Sequence, residues 1–118
     1  MKLQLQVTKE EFYKKYYQAI NGVLKLTSKE LIILDNLSYK KFLGMSDKDL
    51  FNTKTRLTIG SELNMSRFNF NNYIKSMTER GILIRINKQL SINPAIYKDI
   101  TNILSIDFTF TFNIYENK

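Results

Sequence analysis

Hydrophobic positions change their period several times along this chain, and each change predicts an element. Leu3, Leu5 and Val7 alternate with Lys2, Gln4, Gln6 and Thr8, a period of two that predicts a short half-buried strand. Thr8-Lys9-Glu10-Glu11 has the form of a capping box, in which the threonine hydroxyl takes the N3 amide while Glu11 reaches back. Phe12, Tyr16, Ala19 and Ile20 follow at helical spacing until Asn21-Gly22, so a helix over residues 9–21 is expected. A second capping signature, Thr27-Ser28-Lys29-Glu30, opens a helix over 28–39 containing Leu31, Ile32, Leu34 and Leu37. Being apolar nearly all round, it is expected at the centre of the core. From Lys40 to Lys54 no clear period holds, which predicts a loop with one helical turn near Asp47 to Phe51.

From Leu57 the pattern becomes specific. Apolar residues fall at Ile59, Leu63, Met65, Phe70, Ile74, Met77 and Ile82. A short helix over 57–63, a tight turn at Asn64-Met65 and a second helix from its N-cap Ser66 to Arg80 have helix-turn-helix spacing. Met65 would plug the joint, while Phe70, Ile74 and Met77 bind the second helix to the core. Gly81 ends that helix. Ile82, Ile84 and Ile86, then Leu90 and Ile92, alternate on either side of Asn87-Lys88, which predicts a β-hairpin. Near the carboxyl end Ile106-Asp107-Phe108-Thr109-Phe110-Thr111-Phe112-Asn113-Ile114-Tyr115 alternates strictly and predicts a strand, with Leu3, Leu5 and Val7 as its natural partner. So apolar an edge invites either packing inside the chain or pairing with a second copy, a homodimer through terminal strands.

Composition adds bounds. The 118 residues suit one domain, and 43% hydrophobic and 25% charged residues with four Gly and one Pro describe a packed protein. The expected division is a core over 26–98 flanked by 1–25 and 99–118. Without Cys or His the chain lacks disulfides, thiol nucleophiles, the commonest general base and the commonest zinc ligand. The tyrosines Tyr13, Tyr16 and Tyr17 would need a metal or His/Arg constellation to act as nucleophiles, so helix packing explains them better. The acids Glu62, Glu79, Asp99 and Asp107 show no paired-site spacing. The expectation is a protein that is not an enzyme and carries no cofactor or metal. With no apolar run of membrane-spanning length and no continuous apolar stretch at the amino terminus, a cytoplasmic protein without membrane contact is expected.

Charge singles out one segment. The net charge is +7, and residues 53–93, with seven cations against two acids, carry +5 of it, whereas 94–118 carry −1. All four arginines (Arg56, Arg67, Arg80, Arg85) fall in that middle segment, and arginine suits bidentate phosphate and base contacts. A basic chain favours a polyanionic partner.

Leu63-x-Met65-Ser66, then Phe70, Ile74, Met77 and Gly81-Ile82-Leu83 followed by a strand pair, resembles the winged helix-turn-helix DNA-binding superfamily. With Leu26-Thr27 opening the preceding helix it looks like the core of MarR-type transcriptional regulators. Through a hairpin that ends in Ile92-Asn93-Pro94-Ala95-Ile96-Tyr97-Lys98 it is similar to RepL-type plasmid replication initiators. The resemblance covers residues 26–98 and implies an α+β fold, a winged helix-turn-helix with a β-hairpin wing plus amino- and carboxyl-terminal strands. The long flanking helices of MarR-type dimers are missing. In such a fold the second helix reads double-stranded DNA from its amino-terminal half. Arg67, Asn69, Asn71 and Asn72 are the candidates for base or backbone contacts, with Phe68 against a thymine methyl or packed inward. Thr58 and Ser66 are candidates for phosphate contacts at helix N-termini, and Lys75, Arg85 and Lys88 for further phosphates, the last two on the wing. The expected role is a transcriptional regulator or replication-origin binder of a plasmid, phage or mobile element. The alternative is a structural or assembly protein, for example phage-encoded, whose winged helix contacts protein.

Overall fold

The computed structural model describes the backbone of residues 2–100 and 106–111 and the side chains of residues 8–100. The chain is α+β. Strand β1 (Lys2–Val7) is followed by helices α1 (Lys9–Leu24), α2 (Ser28–Phe42), α3 (Asp47–Leu50), α4 (Thr53–Glu62) and α5 (Arg67–Glu79). A hairpin of β2 (Leu83–Ile86) and β3 (Gln89–Ile92) and then strand β4 (Ile106–Thr111) complete it. β1 and β4 pair antiparallel, with Leu3 opposite Phe110, Leu5 opposite Phe108 and Val7 opposite Ile106. Both ends of the chain therefore meet as the alternation predicts. The rest of the predicted strand, Phe112 to Tyr115, lies outside the described residues.

Every helix begins on a side-chain cap, because the first amides of a helix have no partner within it. Thr8, Thr27, Ser46, Asn52 and Ser66 each accept from the amide three residues on. Thr27 and Glu30 complete a reciprocal capping box. The expected stop at Asn21-Gly22 does not occur. Asn21 instead spends its amide on the far side of the helix end, where Oδ1 accepts from the Leu26 amide at 2.8 Å and Nδ2 donates to the Leu26 carbonyl at 3.1 Å. The helix runs on to Leu24 and ends at Lys25, which takes the left-handed conformation (φ 55°). The loop expected over 40–54 is also shorter. α2 extends to Phe42, α3 supplies the one predicted turn, and α4 starts at Thr53, four residues before Leu57, because Asn52 caps it.

One cluster of buried residues joins the helices to the hairpin. Ile33, Leu34 and Leu37 of α2, Leu50, Ile59 of α4, Phe70 and Met77 of α5, and Leu83 and Ile92 of the hairpin are all sealed from solvent. Two expectations need correction here. α2 is buried along one side only, and Ile32 stands 46% exposed. On α1 the buried face is Phe12, Tyr13 and Tyr17, while Ala19 is exposed. The phenols explain this, because each can lie inside once its hydroxyl is bonded. Tyr13 donates to the Lys98 carbonyl at 2.6 Å, Tyr16 donates to the Ile96 carbonyl at 3.0 Å, and Tyr17 shares a 2.7 Å bond with Ser38. Burial pushes the Tyr13 and Tyr17 hydroxyls well above the ordinary phenol range, which keeps them protonated.

α4 and α5 meet at a tight turn. Asn64 is left-handed (φ 54°), the Met65 amide donates to the Gly60 carbonyl at 2.8 Å, and half-buried Met65 packs against the core. A Cβ on Gly60 would lie 3.3 Å from the Met65 carbonyl oxygen, so the close approach is built on glycine. At its other end α5 stops at Gly81 (φ 79°) and leads into the hairpin. The hairpin turns through Asn87 and Lys88, both at positive φ (51° and 66°), the signature of a two-residue type I′ turn. Its buried positions are Ile82, Leu83, Leu90, Ser91 and Ile92. Ile86, at the tip, is 43% exposed, so the alternation Ile82, Ile84, Ile86 does not mark a single buried face.

Arg80 ties this assembly together. Its guanidinium donates to the carbonyls of Leu24 and Lys25 at 2.6 and 2.7 Å and pairs with Glu30 at 3.3 Å. Glu30 is only 3% exposed, and its Oε2 has no hydrogen-bond partner among the described residues. Removing Arg80 therefore strands a buried carboxylate. Arg80→Met is expected to cost about 2–3 kcal/mol in urea unfolding, discounted for the partial exposure of the arginine, and the double variant with Glu30→Gln should recover part of that loss. Arg80→Lys should rescue poorly, since an ammonium does not span three acceptors.

Candidate nucleic-acid interface

The packing that buries Phe70, Ile74 and Met77 turns the opposite side of α5 to solvent. Ser66, Arg67, Phe68, Asn69, Asn72 and Lys75 are all exposed, and Asn71 is half-buried. The amino-terminal half of the helix, where the sequence places its contact residues, is therefore one open surface. Ser66 caps it, with Oγ accepting from the Asn69 amide at 3.1 Å. Of the two placements open to Phe68, the structure takes the outward one, at 74% exposure.

Thr58 does not stand where the sequence places it. Because α4 begins at Thr53, Thr58 lies inside the helix, and its hydroxyl donates back to the Lys54 carbonyl at 3.0 Å. The free amides of α4 belong instead to the turn after Asn52, whose Oδ1 accepts from Thr55 at 2.7 Å. Asn71 is also partly committed. Its Oδ1 accepts from Arg56 at 3.4 Å, so its amide NH2 is the group left to face a ligand. Asn69 and Asn72, whose side chains make no hydrogen bond among the described residues, keep both the donor and the acceptor that a bidentate adenine contact requires.

The four clustered arginines divide into two roles. Arg80 braces the helices, and Arg56 is half-buried, its Nε donating to the Phe51 carbonyl at 2.8 Å. By contrast Arg67, Lys75, Arg85 and Lys88, all exposed, make no hydrogen bond or ion pair among the described residues. Arg85 sits in β2 and Lys88 in the hairpin turn. The exposed surface of α5 is thus flanked by cations on the helix itself and on the hairpin that are unpaired among the described residues.

Two clefts border α5 on its α4 side. One, of about 400 Å³, is walled by Asn52, Thr53, Arg56, Arg67 and Asn71 over a floor of Phe51, Leu57 and Phe70, with no acidic residue in its wall. The other, of about 250 Å³, is walled by Arg56, Asn71, Lys75, Glu79 and Arg85. Burial first, and then the neighbouring Arg85, lower the Arg56 pKa from its ordinary value. Asn52 and Thr53 are not marked by the sequence pattern, and Arg56 is marked only as one of the four clustered arginines. The signal was present in Asn52-Thr53-Lys54-Thr55, a cap followed by a helix, but no apolar period accompanies it.

No protein-family model, curated protein or solved structure matches the chain. Among the described residues no helix is long and apolar enough to cross a membrane.

The two phenylalanines of α5 provide a direct check on which side of the helix is free. Phe68→Ser should leave the unfolding free energy within about 0.5 kcal/mol, as surface substitutions do. Phe70→Ser should cost roughly 3–5 kcal/mol, because it empties a core site and buries a hydroxyl. Urea titration of both variants measures the difference.

Proposed function

We propose that the protein is a non-catalytic double-stranded DNA-binding protein of the winged helix-turn-helix kind. In this reading α4, the turn at Asn64-Met65 and α5 are the helix-turn-helix, α5 is the recognition helix, and the β2–β3 hairpin is the wing. The observation that carries the reading is the exposure of Arg67, Phe68, Asn69 and Asn72 on the first turns of a capped helix, beside three further cations, Lys75, Arg85 and Lys88, that are unpaired among the described residues. Arg67 can take guanine, Asn69 and Asn72 adenine, and Phe68 a thymine methyl, while Lys75, Arg85 and Lys88 neutralise phosphates. Such a module serves as a transcriptional regulator or as a replication-origin binder of a plasmid, phage or mobile element. The partner is duplex DNA in the cytoplasm, and a second copy of the chain joined through the terminal strands would double the reading surface to a two-fold site.

A structural or assembly role in which the same fold contacts protein is the second reading. It draws on the exposed apolar side chains Ile32 and Leu43 of the α2 segment, 46% and 64% accessible and remote in sequence from α5.

Contact with three to five phosphates gives a plot of log affinity against log salt with a slope of about −3 to −5. Arg67→Ala combined with Lys75→Ala should make that slope shallower by about two and weaken duplex binding at low salt. Affinity and slope that stay unchanged in the double variant would remove the DNA reading and leave the protein-contact one.

A further inference from the structure

We propose that the two clefts on the α4 side of α5 form one anion groove that grips consecutive phosphates of a nucleic-acid strand, with Arg56 as its anchored central cation. The inference rests on the DNA-binding reading and specifies where the backbone is held. One phosphate lies between Arg67 and Arg56, and the next lies among Arg56, Lys75 and Arg85.

The clefts adjoin, since Arg56 and Asn71, bonded to each other, belong to the walls of both. Four cations from three elements, α4, α5 and β2, face this path. Among the described residues the only carboxylate in either wall is Glu79, at the carboxyl end of α5. A ligand with a single charge would use one end of such a path, whereas a phosphodiester chain presents charges in series and uses both.

Arg56 differs from the other three. Its guanidinium is held by the Phe51 carbonyl through Nε and by Asn71 through Nη1. Of the five N–H donors of an arginine, three remain for a ligand. A fork fixed in place loses little freedom on binding. Arg56 and Arg85 also repel each other across the second cleft, and Arg56 bears that repulsion while half-buried. An anion seated between them converts the repulsion into two attractions. At the mouth of the first cleft Thr53 opens α4, so the positive end of that helix points the same way.

The test uses inorganic phosphate and a duplex of mixed sequence on the full chain, with Arg85→Gln as the principal variant because Arg85 is exposed and makes no hydrogen bond or ion pair among the described residues. Arg56→Lys is the second variant, keeping the charge and losing the fork. Lys29→Gln, in the first turn of α2, is the control. Thermal unfolding is followed as phosphate replaces chloride at constant ionic strength. The expected result is a midpoint that rises with phosphate in the parent and in Lys29→Gln, and rises several-fold less in both groove variants. Duplex binding by Arg85→Gln should also lose about one unit of salt slope. A parent that phosphate does not stabilise beyond chloride, or an Arg85→Gln protein stabilised as much as the parent, overturns the groove even if duplex binding persists. Phosphate stabilisation that the groove variants lose, in a protein that binds no duplex, keeps the anion groove and removes the DNA reading.

Discussion

The arrangement of the helices depends on one partly buried ion pair. Glu30 is placed inside by its duty as the N3 residue of the α2 capping box, where its Oε1 accepts from the Thr27 amide at 3.0 Å. A carboxylate in that position needs a counter-charge, and the fold brings one from 50 residues away, at the end of α5. Because Arg80 also takes the last carbonyls of α1, a single side chain locks the end of α1, the start of α2 and the end of α5. This fixes the carboxyl end of α5, and the Gly60 contact with Met65 fixes its amino end. Between these two constraints the helix has one orientation, with Phe70, Ile74 and Met77 inside and Phe68, Asn69 and Asn72 outside. The candidate interface is the surface left over when the structural demands on α5 have been met.

The tyrosines of α1 perform the complementary task on the chain that leaves the hairpin. Tyr13 and Tyr16 bond the carbonyls of Lys98 and Ile96, and Tyr13 stacks on Tyr97 with ring centres 5.6 Å apart. The base of the hairpin is held independently, by the Asn93 amide donating to the Ile82 carbonyl and its side chain to the Gly81 carbonyl. Near the turn Gln89 donates to the Asp47 carbonyl at 3.3 Å, so the hairpin is held at both ends while Arg85 and Lys88 stay exposed. These tyrosines thus act through packing and hydroxyl bonds, and burial keeps them neutral.

How much of this was legible in the sequence depends on whether a feature is local. Caps are local, and Thr8, Thr27 and Ser66 stand where their motifs place them. The turn at Asn64-Met65 and the hairpin through Asn87-Lys88 are equally local and equally legible. Helix ends were misplaced where a side chain that usually terminates a helix is used otherwise, as Asn21 is when it clasps Leu26. The start of α4 is hidden because Asn52 caps a first turn, Thr53-Lys54-Thr55-Arg56, that has no apolar member and so no period to detect. The same missing period makes Thr58 look like a residue of a helix N-terminus. Partners across the fold were not legible at all. The four arginines look alike in the sequence, but Arg80 and Arg56 are bonded to backbone and side chains far from them or beneath them, while Arg67 and Arg85 are exposed and unpaired among the described residues.

The central claim is that the amino-terminal half of α5 and the tip of the hairpin meet duplex DNA together. Amide chemical-shift mapping during titration with a short duplex tests it most directly. The largest shifts are expected on Ser66 to Asn72 and on Arg85 to Lys88, with α1 unaffected. Shifts confined to α1 and α2, with α5 and the hairpin unmoved, would contradict it.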